Sequence, residues 1–165
     1  MKTLLVLRHA KSNWDDSAAK DHERPLNARG ERDAPRMGQF ARDEQLLPEL
    51  IVSSDAVRAR MTAGAMADAT GGQLVLDPRL YHAGPTDILA ALRSVIEQSV
   101  ENVATVMIVG HNPGLEELIA QLTGEREDLP TCALAQIALP IDRWSDLDIS
   151  TRGTLVGLWR PKDLR

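Results

Sequence analysis

Apolar residues recur along this chain in two rhythms, and the alternation between them lays out the elements. Short unbroken apolar runs at residues 3–7, 50–53 and 105–110 predict buried strands. The last is the most strand-like and is expected at the centre of a parallel sheet, apolar on both faces. Residues 73–76 read as an edge strand, and 133–139 and 154–159 as two more. Between these runs the apolar positions switch to helical spacing: Ala34, Met37, Phe40 and Ala41 within 28–45, then Ile88, Leu89, Leu92, Val95 and Ile96, then Leu115, Leu118, Ile119 and Leu122. Asn27 is placed to cap the first helix, and Pro35 predicts a kink or a late start in it. Ser54 or Asp55 is expected to cap a helix that runs to about residue 69 and stops at Gly71-Gly72. Asn112 is expected as the cap of the last helix, with Pro113 at its first position and Gly124 at its end. Alternating strands and helices, with no linker or repeat, predict one domain over residues 1–165. Its fold class is α/β, a three-layer α/β/α sandwich around a mostly parallel central sheet.

Composition narrows the partners. A chain of 165 residues, 43% hydrophobic, is long enough to bury a sizeable core. With aromatics at only 3%, that core must be built from aliphatic side chains and methionine. The net charge of −5 argues against nucleic acid and against an anionic membrane, so attraction for an anion must come from locally placed arginines. The lone Cys132 leaves no intramolecular disulfide and is expected to be inert. The few residues before Arg8 fall far short of a signal-peptide core, and no apolar run approaches the roughly 18 residues of a membrane span. These features predict a cytoplasmic protein, and the modestly acidic surface with few aromatics predicts a monomer.

The candidate chemistry sits at strand ends. Arg8 and His9 follow the first strand, Arg58 lies in the helix turn just past the second, and His111 follows the central one. Parallel strands point the same way, and ligands of open α/β sheets bind beyond the carboxyl ends of the strands. Arginine offers a planar fork of donors that fits phosphate, and backbone N–H groups in the first turn before Arg58 also face an anion. Two imidazoles among two guanidiniums make a poor metal site but a good site for a phosphoryl group, whose oxygens gain charge during transfer. No metal and no cofactor are expected. Taken singly, each element has a plainer reading: a strand-end Arg-His pair, or a capped turn with a surface histidine at Gly110-His111-Asn112-Pro113-Gly114.

The block Leu7-Arg8-His9-Ala10-Lys11-Ser12 resembles the opening motif of the histidine phosphatase superfamily, the phosphoglycerate-mutase-like fold. Ser53-Ser54-Asp55-Ala56-Val57-Arg58-Ala59-Arg60-Met61-Thr62-Ala63 is similar to its second motif, and Val109-Gly110-His111-Asn112-Pro113 to its third. Within the superfamily, the Arg-His-Ala-Lys-Ser opening and the Asp21-x-x-Arg24-Pro25-Leu26-x-x-Arg29-Gly30 block resemble the small phosphohistidine phosphatases of the SixA type. The resemblance covers nearly the whole chain. It implies that His9 is phosphorylated in turn while Arg8, Arg58 and His111 hold the phosphoryl group. Ser12 and His82 are the further substrate-binding candidates. The ring nitrogen of His9 that does not attack is expected to donate to a backbone carbonyl, and the neighbouring arginines to favour a neutral imidazole.

Two positions depart from relatives that act on phosphate esters. Such members usually carry a Glu two residues after the Leu matching Leu80, as acid for a leaving alkoxide, and here that position is His82. An imidazole leaving a labile P–N bond needs less help, so the replacement favours a phosphohistidine-bearing protein as substrate. Asp15 stands where ester-cleaving members often have Asn, and it is left out of the phosphate clamp. His22 is expected to be solvated, and Trp14 and Trp144 to be packing residues. Asp21, Arg24 and Arg29 are open between a structural ion-pair cluster and a pocket rim. Two rivals stay open: a phosphatase or mutase for small phosphorylated molecules in the same fold, and a non-catalytic module that binds a phosphorylated ligand.

Overall fold

The computed structural model describes residues 1–15, 20–99 and 102–164. Six strands form its sheet: β1 (Lys2–Arg8), β2 (Leu50–Ser53), β3 (Gln73–Leu76), β4 (Thr105–Gly110), β5 (Leu134–Leu139) and β6 (Thr154–Trp159). Their order across the sheet is β3-β2-β4-β1-β5-β6. The β3, β2, β4 and β1 strands run parallel, β5 is antiparallel to β1, and β6 is antiparallel to β5. The sheet is therefore mostly parallel, with β4 inside it and β3 at one edge.

Alternation along the strands divides the core into two layers. Leu4 and Val6 of β1 and Val106 and Ile108 of β4 face helices α3 (Pro85–Gln98) and α4 (Gly114–Thr123), meeting Ile88, Leu92, Leu115 and Leu118. Leu5, Leu7, Met107 and Val109 face the opposite way, onto Met37, Ala41, Ala59 and Ala63 of helices α1 (Ala28–Asp43) and α2 (Val57–Thr70). The result is the three-layer α/β/α sandwich. Leu5, Met107 and Leu115 are essentially inaccessible to solvent, so truncating any of them to alanine costs about 2–5 kcal/mol. Trp144, expected to pack, is buried and donates from Nε1 to Val103 O at 2.7 Å. Among the described residues no helix is long and apolar enough to cross a membrane.

Three local expectations need correction. Helix α1 starts at Ala28, capped by Asn27, and continues through Pro35 without a late start. Pro35 and Glu31 both lie on the solvent face, where water can satisfy the carbonyl that Pro35 leaves free. Helix α2 has no side-chain cap, because Ser54 and Asp55 are engaged elsewhere: Ser54 Oγ meets His111, and Asp55 takes His22. Asn112 does not cap α4 either, since its side-chain amide donates to Leu129 O at 2.8 Å. In both places side chains that could have capped a helix are committed to partners distant in sequence: Ser54 to His111, Asp55 to His22 and Asn112 to Leu129.

The loop after β1 is pinned against the start of α1. Asn27 N donates to Lys11 O, and Ser12 pairs with Leu26. Gly30 makes this approach possible, because a Cβ there would lie 2.2 Å from Lys11 O. Residues 16–19 of the long polar loop lie outside the described residues.

Candidate active site

Register alone brings the two histidines together. Arg8 of β1 pairs with Gly110 of β4, so His9 and His111 leave adjacent parallel strands at the same level. His9 N donates to Gly110 O at 3.1 Å, and the imidazole centroids stand 5.2 Å apart. Ser53 of β2 pairs with Val109, which sets Ser54 beside the same strand end and starts α2 three residues later with Arg58 in its first turn. Thr62, one turn further on, donates to Arg58 O and accepts from Ala10 N, fastening the helix to the residue after His9.

The sequence-predicted quartet thus converges on one cavity of about 240 Å³, whose lining includes Arg8, His9, Arg58, His111, Ser12 and His82. Ser12 is buried and accepts from Arg24 Nη1 at 2.7 Å. His82 stands exposed at the rim in a left-handed backbone conformation (φ 59°), its ring 3.9 Å from that of Tyr81.

Proton positions follow from the hydrogen bonds. His9 Nδ1 lies 2.7 Å from Ala10 O, an acceptor only, so Nδ1 carries the proton and Nε2 keeps a free lone pair. His111 Nε2 lies 2.8 Å from Ser54 Oγ, which already accepts from Ala56 N. The fully buried Ser54 hydroxyl satisfies its own proton by donating to His111 Nε2, so His111 is protonated on Nδ1. Burial first, and then Arg58, Arg8 and Arg24, push the His9 imidazole down to about 4, against the pull of the Ala10 carbonyl. Burial, with His9, Arg58 and His82, pushes His111 down to about 3, opposed by Asp21. Both rings are neutral at neutral pH. The arginines act as expected, although burial outweighs them.

Among the described residues, the buried side-chain atoms lacking a hydrogen-bond partner are Arg8 Nε, Arg58 Nε, His111 Nδ1, Asn112 Oδ1 and Asp33 Oδ2. Four of these five belong to residues lining the cavity, and three of the four are donors. A buried donor left unpaired costs about 1–3 kcal/mol, so the cavity is built for an acceptor-rich guest. Among the described residues no group of three or more His, Cys, Asp or Glu is placed to hold a metal ion.

Sequence reasoning left Arg24 undecided, and the structure puts it in the wall. It is buried, donates to Ser12, and grips Asp21 through Nε (3.1 Å) and Nη2 (2.9 Å). Asp21 also accepts from Arg58 Nη2 at 3.0 Å and from the Tyr81 hydroxyl, while its backbone carbonyl takes Arg58 Nη1. The Tyr81 hydrogen bond, then the two arginines, hold the Asp21 carboxyl well below the usual carboxylate range despite its partial burial. Arg29 leaves this cluster and pairs with Asp33. His22 is not merely solvated, since its Nε2 sits 2.8 Å from Asp55 Oδ1. Trp14 is 68% exposed and lines the cavity with Lys11, Asn112 and Thr131, so it is no core-packing residue. Asp15 is exposed and outside the lining. Cys132 is buried, which pushes its thiol up to about 12. None of the missed wall residues stands in a periodic pattern. The one signal for Arg24 is its place beside Pro25-Leu26, the segment that pairs with Ser12 and Asn13.

Comparison with known proteins gives the chain a family and its fold a set of likenesses. Residues 4–87 match the histidine phosphatase superfamily (branch 1). The chain is 36% identical over 152 residues to an uncharacterized chloroplastic protein of Arabidopsis thaliana, covering 88% of this chain and 70% of that one. It is 31% identical to a SixA protein of Agrobacterium tumefaciens, with a TM-score of 0.77 over 97% of this chain and 98% of that one. A protein histidine phosphatase SixA complexed with tungstate is 25% identical, with a TM-score of 0.80 over 99% of both chains. The match over residues 4–87 and the likeness of the α/β/α frame give the family: this chain belongs to the histidine phosphatase superfamily and is of the SixA type.

Proposed function

We propose that the protein is a phosphohistidine phosphatase, a single domain that removes phosphate from a phosphohistidine-bearing protein through a covalent phospho-His9 intermediate. The carrying observation is that Arg8, Arg58 and His111, which line the same cavity as His9, each hold a buried donor without a partner (Arg8 Nε, Arg58 Nε and His111 Nδ1), while His9 Nε2 keeps a free lone pair. Tungstate, which the related SixA holds, is a tetrahedral oxyanion of the phosphate kind.

In this reading His9 Nε2 attacks phosphorus in line with the departing nitrogen. Arg8, Arg24, Arg58 and His111 Nδ1–H hold the phosphoryl oxygens as their charge grows. Water then cleaves phospho-His9 and releases inorganic phosphate. Ser54 and Ala10 act through the histidines by fixing their tautomers. The protein uses no resident metal or cofactor in this scheme.

The preference for a P–N bond rests on what the cavity lining lacks. Among the described residues it contains no carboxylate. Asp21, the carboxylate bonded to Arg24 and Arg58 of the wall, is held ionised by Tyr81, Arg24 and Arg58, and so has no proton to give. An alkoxide would leave without a carboxylic acid to protonate it. A phosphoimidazole already protonated on its far ring nitrogen departs as neutral imidazole, and His82 at the rim can hydrogen-bond to it.

The test is rapid mixing with a radiolabelled phosphohistidine protein, quenched in alkali because phosphohistidine survives there. Label is expected on His9 in the wild type, with His9→Ala giving no label and no turnover. Normal hydrolysis by His9→Ala would overturn the proposal. Rapid turnover of sugar phosphates with phosphohistidine left untouched would replace it with the small-ester reading.

A further inference from the structure

The cavity wall is sorted by exposure. His9, Ser12, Arg24, Arg58 and His111 are buried, whereas the exposed members of the lining are two ring-bearing side chains, Trp14 and His82. Of the three tryptophans, Trp144 is buried in the core and Trp159 packs near Phe40, with centroids 5.3 Å apart. Trp14 alone holds its indole out at the cavity mouth. One face of that indole is covered by the Arg24 guanidinium, whose Cζ lies 3.4 Å from the ring centroid. At 68% exposure, the rest of the ring lies largely open to solvent.

A substrate entering from solvent must present its phosphoryl group to buried His9 and keep its leaving group at the exposed rim. The groups waiting there are flat and aromatic. An indole backed by a buried guanidinium is also held in place, because Arg24 is itself fixed by Ser12 and Asp21. Such a surface favours a planar ring, through stacking and displaced water, and gives nothing comparable to ammonia or an aliphatic chain.

We propose that Trp14 is a specificity-determining residue: with His82 it forms a leaving-group subsite that selects substrates whose phosphoryl group departs from an aromatic ring. This rests on the reading of the cavity as a phosphoryl site, and it names the feature by which a phosphohistidine ring would be preferred to other phosphoramidates and phosphate esters.

The test compares substrates that share a scissile bond and differ in the ring. The ratio of kcat/KM for N-phosphoimidazole over phosphoramidate is measured in the wild type, Trp14→Ala and Trp14→Phe. The ratio for phenyl phosphate over glycerol phosphate is measured alongside. Intrinsic reactivity cancels when each variant's ratio is divided by that of the wild type. The expected result is a ratio reduced about fivefold to tenfold in Trp14→Ala and mostly restored in Trp14→Phe, as the loss of one stacking contact implies. Equal losses on both members of a pair would mean that Trp14 merely shelves Arg24, and would overturn the proposal. Wild-type protein that cleaves only the two esters would sink the phosphohistidine reading while the ester ratio still decides the role of Trp14. Wild-type protein inert toward all four compounds would sink both.

Discussion

Keeping two imidazoles neutral inside a ring of guanidiniums has a thermodynamic consequence that can be measured without any substrate. An unfolded histidine titrates near 6.5, whereas folded His9 is held at about 4, first by burial and then by Arg58, Arg8 and Arg24. As the pH falls below 6.5, the unfolded chain takes up a proton that the folded chain refuses. Stability contributed by this difference is intact above pH 6.5, drains away between 6.5 and 4, and stops changing once both states are protonated. The full loss for His9 is roughly 3 kcal/mol, of which about 2 to 3 kcal/mol has gone by pH 4.5. His111, pushed down to about 3, continues the same trend at lower pH. Replacing His9 with Gln removes its share. Urea unfolding of wild type and His9→Gln at pH 7.5 and 4.5 is therefore expected to show the wild type losing about 2 to 3 kcal/mol more than the variant over that interval. Ring nitrogen NMR at pH 5.5 should find His9 neutral and protonated at Nδ1. Equal losses in the two proteins, or a His9 titration midpoint near 6.5, would refute the reasoning.

Three further outcomes are expected. Ser54→Ala strips His111 Nε2 of its partner and frees the tautomer, so kcat is expected to fall about tenfold, with NMR reporting a mixture of Nδ1–H and Nε2–H forms where the wild type has one. Arg24→Lys keeps the charge but cannot at once reach Ser12, grip Asp21 and stack on Trp14, and tungstate affinity by calorimetry is expected to drop about tenfold. Gly30→Ala drives a Cβ to 2.2 Å from Lys11 O, a backbone atom that cannot step aside, so urea unfolding is expected to show a loss of about 1–3 kcal/mol.

The central place of residues 105–110, the edge place of residues 73–76 and the four site residues beyond the strand ends were legible in the sequence, because buried strands leave apolar runs and because Arg8, His9 and His111 stand at the ends of such runs, with Arg58 in the helix turn just past another. The wall opposite was not. Arg24 and Trp14 reach the cavity through a pairing of Ser12 with Leu26 that spans an irregular loop and has no period to reveal it. The caps failed for a related reason. Ser54, Asp55 and Asn112 have the local chemistry of caps, but their side chains bond to His111, His22 and Leu129, partners at least 17 residues distant in sequence. Propensity weighs neighbours along the chain, and these choices were made across the sheet. His22 was misjudged in the same way, since its partner Asp55 lies 33 positions on.

The end of β1 is fixed from both flanks: His9 N is held by Gly110 O, His9 O accepts from Cys132 N at 3.0 Å, and Ala10 N is held by Thr62. Trp14 and His82 belong to no strand, and each stands exposed. Variation is thereby partitioned. On the proposed reading, replacing a rim residue would change which leaving group is accepted while the backbone carrying His9 stays where three neighbours hold it. On that reading the exposed rim can change without disturbing the strand end, because Trp14 and His82 belong to no strand and share none of the bonds that hold His9 and Ala10.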